Sequence, residues 1–420
     1  MPLTHLLSLG RVMNWSAALQ SIPVIFLVGY TFFMWNRILL TLALIAFLYS
    51  ALKNLVYVLT DSTKLPFSAF PMLIFYDIWM GMVHVSRMFA VDMQYPRAIL
   101  DAIVRAGGRS CAHTHVQKEV TEEGVELHVN RPEGVSSSRN CLLFIHGGGW
   151  TFLSARCYNA CVSWLAHLLQ CVIVNVEYRL TPEHPFPAGL DDCYSALRWV
   201  WANAELLDIE RVFVGGDSAG GNLSAALCLL HRDTRKESPG LREIAGQILL
   251  YPVLQAFDMT RGSMAENAHL FPRASLMPAC VSNYVVGGEG LSHYFGQPEQ
   301  HTKVPRFCKV VLKDDREVLE HKSSLSVGDY TQESILGNGY ILPLHAGDVS
   351  NLPPAYISLA TGDTLRDEGE WYAEYLRASG CSAQVSLVRH VHGFINGCAK
   401  DSEVRKEVEK IRVFMEKIAE

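Results

Sequence analysis

The sequence is poor in charged residues. Asp, Glu, Lys and Arg make up 19% of its 420 residues, against a share of about 25% in ordinary soluble proteins. The 36 basic residues are outnumbered by 42 acidic ones, and a net charge of −6 excludes a basic surface of the kind that binds nucleic acid. Gly and Pro show no period, which excludes collagen-like chains. The 49% of hydrophobic residues therefore has to be concentrated in a core or a membrane segment.

A metal-binding cysteine pattern is also missing. The chain has 11 cysteines at irregular spacings, with no CxxC and no Cys/His ligand pattern, so a structural zinc site is not expected. Cys141, Cys171 and Cys228 fall inside apolar runs, where a thiol usually packs as a small buried hydrophobic group. The sequence is compatible with one or two disulfide bonds.

Two long apolar runs lie near the N-terminus. Residues 12–36 carry no charge, and a second apolar run over 38–59 contains Lys53 alone. Because a spanning helix needs roughly 20 apolar residues, residues 1–65 are predicted to form a membrane-anchor region with one or two spanning helices. A buried helical hairpin is the alternative. Residues 66–114 are predicted to form amphipathic cap helices that lie on the core or at the membrane surface.

From residue 115 onward, short apolar segments alternate with helical patterns. A hairpin is expected over Val116–Asn130, followed by strands at 141–145, 171–176, 212–215, 248–251, 356–360 and 383–391. Nearly all-apolar strands are typical of a parallel sheet covered on both faces. We therefore predict an α/β catalytic domain over 115–420, with functional side chains beyond the carboxyl ends of the strands. Residues 255–345 interrupt the alternation and predict a cap insertion.

The segment Gly216-Asp217-Ser218-Ala219-Gly220 follows one of these strands and precedes a helical pattern. This is the G-x-S-x-G nucleophile elbow in its required context. A serine on such a turn has a strained backbone, and side chains two positions away on either side would collide with the neighbouring strand and helix. Ser218 is therefore the predicted nucleophile.

A glycine-rich loop follows the strand at 141–145. It reads His146-Gly147-Gly148-Gly149-Trp150, and consecutive glycines let backbone N–H groups turn toward a carbonyl oxygen that becomes negative. We predict that Gly147, Gly148 and Gly149 belong to an oxyanion hole. His146 is expected to anchor this loop rather than to act as a base.

A nucleophilic serine needs a base and an orienting carboxylate, which follow it in the order acid, then histidine. Asp363 lies at the exit of the strand at 356–360, whereas Asp367 and Glu368 fall in the first turn of the next helix. His390 and His392 would share one face of the last strand if it continued. His392 is the predicted base because it lies at the strand exit, directly before Gly393.

These motifs together resemble the hormone-sensitive lipase branch of the α/β-hydrolases, and within it arylacetamide deacetylase and neutral cholesterol ester hydrolase. The resemblance rests on HGGGW, VEYRLTPEHPFPAGLDD, GDSAGGNLSAAL, YPVLQAFD, GDTLRDEGEWYAEYL and HGF, over about residues 60–420. It implies the triad Ser218, Asp363 and His392, and adds the Ala219 N–H to the oxyanion hole. Some relatives carry a cross-linking cysteine pair where this chain has Thr151 and Ala360.

The resemblance implies a serine ester hydrolase that needs no metal or organic cofactor, anchored in the endoplasmic reticulum membrane with a luminal catalytic domain. The partners expected are a hydrophobic ester and the membrane, and no nucleic acid. Aromatic and methionine side chains of the N-terminal helix are expected to favour lipid or aryl esters: Phe67, Phe70, Phe75, Trp79, Met80 and Met82. A catalytically silent ligand receptor on the same fold is the alternative, and a membrane protein with a merely structural hydrolase domain is a third.

Overall fold

The computed structural model describes residues 48–55, 65–88, 93–134, 139–256, 259, 262–288, 292 and 338–419, without the side chains of Phe67, Met80, residues 82–88 and Gly107. The chain divides into two compact units, Met1–Leu59 and Thr60–Glu420. In the first unit, residues 48–55 are helical. The 12–36 run and the rest of the 38–59 segment lie outside the described residues. No helix within the described ranges combines the length and apolar character needed to cross a bilayer.

The second unit is built on one eight-stranded sheet. Its strands are β1 (Thr114–Val120), β2 (Glu126–Pro132), β3 (Asn140–Ile145), β4 (Val172–Val176), β5 (Arg211–Asp217), β6 (Gly246–Leu250), β7 (Ala355–Gly362) and β8 (Ala383–Val391). The spatial order is β1-β2-β4-β3-β5-β6-β7-β8. β2 pairs antiparallel with β1 and with β4, and every other neighbouring pair is parallel. The prediction of a mostly parallel α/β sheet is confirmed, including its opening hairpin.

Helices cover both faces of this sheet. The longer ones are α1 (Phe70–Met88), α2 (Gln94–Gly107), α3 (Ala155–Leu169), α4 (Ala188–Ala202), α5 (Ala219–Glu237), α6 (Met277–Val286), α7 (Arg366–Ala378) and α8 (Ser402–Ala419). Alternation along β3 shows the two layers, because Leu143 packs in the core on one face and Leu142 in the core on the other. Both faces are buried, which is why these strands have no polar side.

Helix α1 follows a short 3₁₀ turn, Phe67–Ala69, and packs on the sheet unit. Its Tyr76 and Trp79, together with Leu100 of α2, belong to the core cluster that contains Leu142 of β3. The sequence left two positions open for this segment, on the core or at the membrane surface. Tyr76 and Trp79 lie in the core.

The predicted insertion is described in part. A four-residue helix, Ser263–Glu266, and helix α6 belong to it, while residues 289–291 and 293–337 lie outside the described residues. The described part ends in a 3₁₀ turn at Pro343–His345.

Strand β8 contains an irregularity near its end. Ala360 of β7 pairs with Val388, but Gly362 pairs with Val391, so β8 has one extra residue in this interval. Such a bulge changes the direction in which the following side chains point. Strand β8 ends at Val391, so the condition under which His390 and His392 would share one face, a strand that continues to His392, is not met.

Candidate active site

Three side chains from three strand exits form one hydrogen-bonded chain. Ser218 follows β5, Asp363 follows β7 and His392 follows β8. The Ser218 Oγ lies 2.9 Å from His392 Nε2, and His392 Nδ1 lies 2.8 Å from Asp363 Oδ2. Asp363 and His392 are buried, at 0% and 2% exposure. The structure thus brings together the three residues that the sequence singled out.

The backbone at Ser218 has the strained geometry of an elbow. Its φ of 56° and ψ of −119° place a non-glycine residue in a region that L-amino acids rarely adopt. The flanking glycines are required by close packing, because an added Cβ would lie 2.2 Å from the Ile145 carbonyl oxygen at Gly216 and 2.0 Å from it at Gly220. The turn therefore fits under β3 only with glycines at both positions.

The glycine loop after β3 lies beside Ser218. Gly148 has a φ of 117°, and an added Cβ would meet the Phe152 carbonyl oxygen at 2.1 Å. Gly148, Gly149 and Ser218 line the same cavity, and Ala219 begins α5 directly after Ser218. Gly147 differs from the prediction, because its N–H donates to Asp217 Oδ1 at 2.8 Å. That amide holds the loop and is not turned to a substrate.

His146 lies within the loop's own interactions. Its Nδ1 donates to the Gly147 carbonyl at 2.8 Å, and its ring stacks on Tyr178 at 4.4 Å. Burial lowers the pKa of His146 to about 4, so its imidazole is neutral near pH 7. These contacts agree with an anchoring residue.

Asp217 joins the elbow to the glycine loop, a role that the sequence patterns do not predict. Besides the Gly147 N–H, it accepts a hydrogen bond from the Tyr158 hydroxyl at 2.9 Å. Burial raises the pKa of Asp217 to about 6, although both donors oppose the shift. Its position beside Ser218 in the motif was the only signal in the sequence, and Tyr158 lies 59 residues away.

The loop after β7, which carries Asp363, is hydrogen-bonded to the insertion. Thr364, directly after Asp363, donates through its hydroxyl to the Pro272 carbonyl at 2.7 Å. The Asn267 amide donates to the Asp363 carbonyl at 3.0 Å. Asp363 Oδ1 also accepts the Leu365 N–H at 2.9 Å, which leaves Oδ2 facing His392.

His390 has a different partner from His392. Its Nε2 lies 3.4 Å from Asp401 Oδ2, and its Nδ1 accepts the Val391 N–H at 2.9 Å. The hydrogen bond to Ser218 thus belongs to His392, the histidine predicted from the sequence as the base.

A largely apolar cavity of about 800 Å³ opens onto Ser218 and His392. Among the predicted aromatic residues, Phe75 and Trp79 line it, whereas Phe70 does not; the side chains of Phe67, Met80 and Met82 lie outside the described residues. The insertion contributes Phe271 and Leu276 to the lining of the cavity, and the Phe271 ring lies 5.0 Å from that of Trp79. The site therefore combines a serine–histidine–carboxylate chain with hydrophobic walls.

Comparison with known protein families agrees with this geometry. The family described as alpha/beta hydrolase fold matches residues 142–323 and 313–396, which contain all three residues of the hydrogen-bonded chain. The chain belongs to the α/β-hydrolase family.

Three curated relatives of this hydrolase are enzymes. Carboxylesterase NlhH of Mycobacterium tuberculosis is 34% identical over 65% of this chain and 72% of the relative. Arylacetamide deacetylase of Mus musculus is 33% identical over 62% of this chain and 70% of the relative. Neutral cholesterol ester hydrolase 1 of Bos taurus is 28% identical over 71% of this chain and 78% of the relative. The predicted resemblance and the enzyme class, a carboxylic ester hydrolase, are confirmed.

One group of possible metal ligands lies outside the active site of the hydrolase. Within the described ranges, ligand atoms of Glu126, His128 and Glu177 lie within 4.8 Å of one another. Glu126 Oε1 is already contacted by His128 Nε2 at 2.8 Å and by Lys118 Nζ at 2.7 Å. The Lys118 ammonium group therefore already supplies a positive charge at Glu126.

Tyr76 of helix α1 contacts the backbone of His392, the predicted base. Its hydroxyl donates to the His392 carbonyl oxygen at 2.8 Å, across 316 residues of sequence. Its ring stacks on Phe271 at 4.0 Å. An added Cβ at Gly393 would lie 1.8 Å from the Tyr76 hydroxyl, so Gly393 makes this approach possible. The contact indicates that Tyr76 positions the loop that carries His392.

Tyr76→Phe is expected to lower kcat of the hydrolase about fivefold, because it leaves the buried His392 carbonyl without a donor that contributes on the order of 1 kcal/mol. KM should change less than twofold, since the phenyl ring keeps its place in the cavity wall. Steady-state kinetics on a soluble ester measures both. Tyr372→Phe is the matched control, because the buried Tyr372 hydroxyl has no hydrogen-bond partner in the described part of the chain. Equal kcat in the wild type and Tyr76→Phe would contradict the positioning role.

Glu368 has a buried carboxyl group in helix α7, which follows the loop that carries Asp363. The sequence predicted it as a charge in the first turn of α7, and it lies in that turn, but its exposure is only 2%. Its Oε2 accepts the Gln255 N–H at 3.1 Å and the Leu254 N–H at 2.5 Å. Burial raises the pKa of Glu368 to about 8. Glu368 thus joins α7 to the start of the insertion in its protonated form near neutral pH.

The Glu368 carboxyl is expected to make stability depend on pH. The unfolded chain releases this proton near its ordinary pKa of about 4.3, while the folded chain keeps it to about 8. Between these values the folded state binds more protons, so the free energy of unfolding falls as pH rises, by on the order of 5 kcal/mol. Glu368→Gln should remove this part of the decline with pH, because a glutamine side chain does not titrate. Its amide oxygen can still accept the same two N–H groups.

Denaturant unfolding of the wild type and Glu368→Gln across pH 5 to 9 measures the difference. Glu374→Gln, an exposed position on the same helix, is the control and should follow the wild type. Parallel curves for the wild type and Glu368→Gln would show that the buried carboxyl is not protonated.

Proposed function

We propose that this protein is a membrane-anchored serine hydrolase that cleaves hydrophobic carboxylic esters through an acyl-enzyme on Ser218. The observation that carries the proposal is the hydrogen-bonded chain Ser218–His392–Asp363 at the wall of an apolar cavity. The order of these residues and their exits from β5, β7 and β8 suit acyl transfer.

In the acylation step, Ser218 Oγ attacks the carbonyl carbon of the ester while His392 Nε2 removes the hydroxyl proton. Asp363 holds the Nδ1–H of His392 and stabilises the imidazolium that forms. The carbonyl oxygen becomes negative and is stabilised by the N–H groups of Gly148, Gly149 and Ala219. When the C–O bond breaks, His392 gives its proton to the departing alcohol, and the acyl group stays on Ser218.

In the deacylation step, His392 removes a proton from water as the water oxygen attacks the acyl carbon. The tetrahedral species collapses, the proton passes from His392 to Ser218 Oγ, and the carboxylic acid leaves. The net reaction consumes one ester and one water and yields one acid and one alcohol. An aryl acetamide reacts in the same way, with an arylamine in place of the alcohol.

The cavity walls support hydrophobic substrates. Phe75, Trp79, Phe152, Phe271 and Leu276 line the space around Ser218, and burying each methylene group of a substrate contributes about 0.8 kcal/mol. Two of the relatives are named as an arylacetamide deacetylase and a cholesterol ester hydrolase. Both names fit lipid or aryl esters and acetamides as the substrate class.

A series of p-nitrophenyl esters of increasing acyl length tests the substrate class. We expect kcat/KM to rise severalfold per added pair of methylene groups until the cavity is filled. A steady decline from the acetyl ester onward would contradict a lipid acyl group. Trp79→Ala should flatten the rise, because it removes the largest apolar side chain that α1 contributes to the cavity.

We further propose that the segment 38–59 spans the endoplasmic reticulum membrane and that the catalytic unit faces the lumen. The support is its apolar run of spanning length ahead of the catalytic unit, with the 12–36 run as a second possible span. Protease treatment of sealed microsomes that carry the C-terminally tagged chain tests the topology. The tag should resist digestion until detergent is added; digestion without detergent would place Ser218 in the cytosol.

A further inference from the structure

Two cysteine thiols face each other beside the active-site cavity. Cys161 lies on α3, and Cys398 directly follows the 3₁₀ turn Phe394–Gly397 that succeeds His392. Their Sγ atoms are 3.8 Å apart, although 237 residues separate them in the sequence. The pair thus connects the helix that carries Tyr158 with the turn that follows the catalytic base.

Both thiols are held in a facing orientation. Cys161 Sγ donates to the Ile395 carbonyl at 3.5 Å, and Cys398 Sγ donates to the Cys161 carbonyl at 3.7 Å. Each sulfur therefore lies against the backbone of the opposite element. A disulfide has its sulfurs about 2.05 Å apart, so the two atoms need to approach by only about 1.8 Å, which is within the range of small side-chain rotations.

The two cysteines differ in accessibility. Cys398 is fully buried, whereas Cys161 is half-buried and lines the cavity. A small oxidant that enters the cavity therefore meets Cys161 first. The neighbouring Cys398 thiol, together with burial, raises the pKa of the Cys161 thiol. Because the thiolate is the reactive form, oxidation is expected to be slow at neutral pH and faster at alkaline pH.

We propose that Cys161 and Cys398 are a disulfide-forming pair whose bond fastens α3 to the turn that follows His392. With a low-molecular-weight disulfide as oxidant, the Cys161 thiolate attacks one of its sulfurs and expels one thiol. The Cys398 thiolate then attacks the Cys161 sulfur and expels the second thiol. The S–S bond forms, and two electrons and two protons reduce the oxidant to two thiols.

The bond would stabilise the fold without changing the reacting atoms. It closes a loop of more than 200 residues and so restricts the unfolded chain strongly. We expect the oxidised protein to unfold at a temperature higher by ~5 °C than the reduced protein. The inference stands apart from the proposed function, because a chain without hydrolase activity could form the same bond.

Peptide mapping of the full-length chain in detergent tests the proposal. The reduced protein is incubated with oxidised glutathione at mildly alkaline pH, alkylated and digested without reductant, and the linked peptides are identified by mass spectrometry. A Cys161–Cys398 peptide pair should appear, with the rise in unfolding temperature, and both should vanish on reduction. Cys161→Ser and Cys398→Ser should lose both changes, whereas Cys228→Ser, which removes a buried thiol in the other core cluster, should keep them.

Three outcomes would overturn the proposal. Both cysteines could be recovered as alkylated thiols from the folded, oxidant-treated protein. Glutathione could remain attached to Cys161 without transfer to Cys398. Cys161 could instead be linked to a different cysteine. The wild-type peptide map decides among these results even where a serine variant fails to fold.

Discussion

Ser218→Ala is expected to abolish ester hydrolysis, with kcat falling by at least three orders of magnitude. The alanine removes the Oγ that lies 2.9 Å from His392 Nε2, so neither the attack on the carbonyl nor the acyl intermediate remains possible. The fold should persist, because the elbow depends on Gly216 and Gly220 and not on the serine hydroxyl. Initial rates on a p-nitrophenyl ester, with circular dichroism in parallel, give both results.

Ser218→Gly provides the matched control for the strained backbone. Both variants should be equally inactive, but glycine adopts the φ of 56° without strain, so its free energy of unfolding should exceed that of Ser218→Ala by about 0.5–1 kcal/mol. A kcat above a tenth of the wild-type value in either variant would contradict the assignment of Ser218 as the nucleophile.

His392→Ala is expected to cause a loss of similar size, again at least a thousandfold in kcat. Without the imidazole, Ser218 Oγ loses the base that lies 2.9 Å away, and the Asp363 carboxylate loses the partner that lies 2.8 Å away. Binding of the ester should change little, since the apolar walls stay in place. Single-turnover kinetics should show the loss in the acylation step.

His390→Ala separates the two neighbouring histidines. His390 contacts Asp401 and not Ser218, so this variant should keep most of its kcat. Its cost should fall on stability instead, because it removes a side chain of 1% exposure and leaves Asp401 without this partner. Loss of activity in His390→Ala with retention in His392→Ala would reverse the assignment of the base.

The sheet and the triad could be predicted from local sequence patterns. Most predicted strand ends lie within one or two residues of the observed ends. The start and end of a short, nearly all-apolar run such as CLLFI can be placed to within a residue or two. Ser218, Asp363 and His392 could be found because each follows a strand at the same edge of a parallel sheet. The glycine loop was visible for a similar reason, since few other structures need three glycines directly after a buried strand.

Residues that act through distant contacts could not be predicted. Tyr76 contacts a carbonyl 316 residues away, and Glu368 accepts N–H groups 113 and 114 residues away, so no local spacing indicates either contact. The role of Gly147 was predicted wrongly, because its partner Asp217 lies on another strand exit. His390 and His392 have different partners, Asp401 and Ser218, and alternation along a regular strand gives no sign of this difference.

Labelling with a fluorophosphonate probe tests most directly whether Ser218 is an activated nucleophile. The full-length protein should take up one probe molecule per chain, and mass spectrometry should locate it on the peptide that contains Ser218. Ser218→Ala should take up none, and His392→Ala should react far more slowly. A folded wild-type protein that is not labelled, as expected of a silent ligand receptor, would contradict the account, and so would labelling that persists in Ser218→Ala.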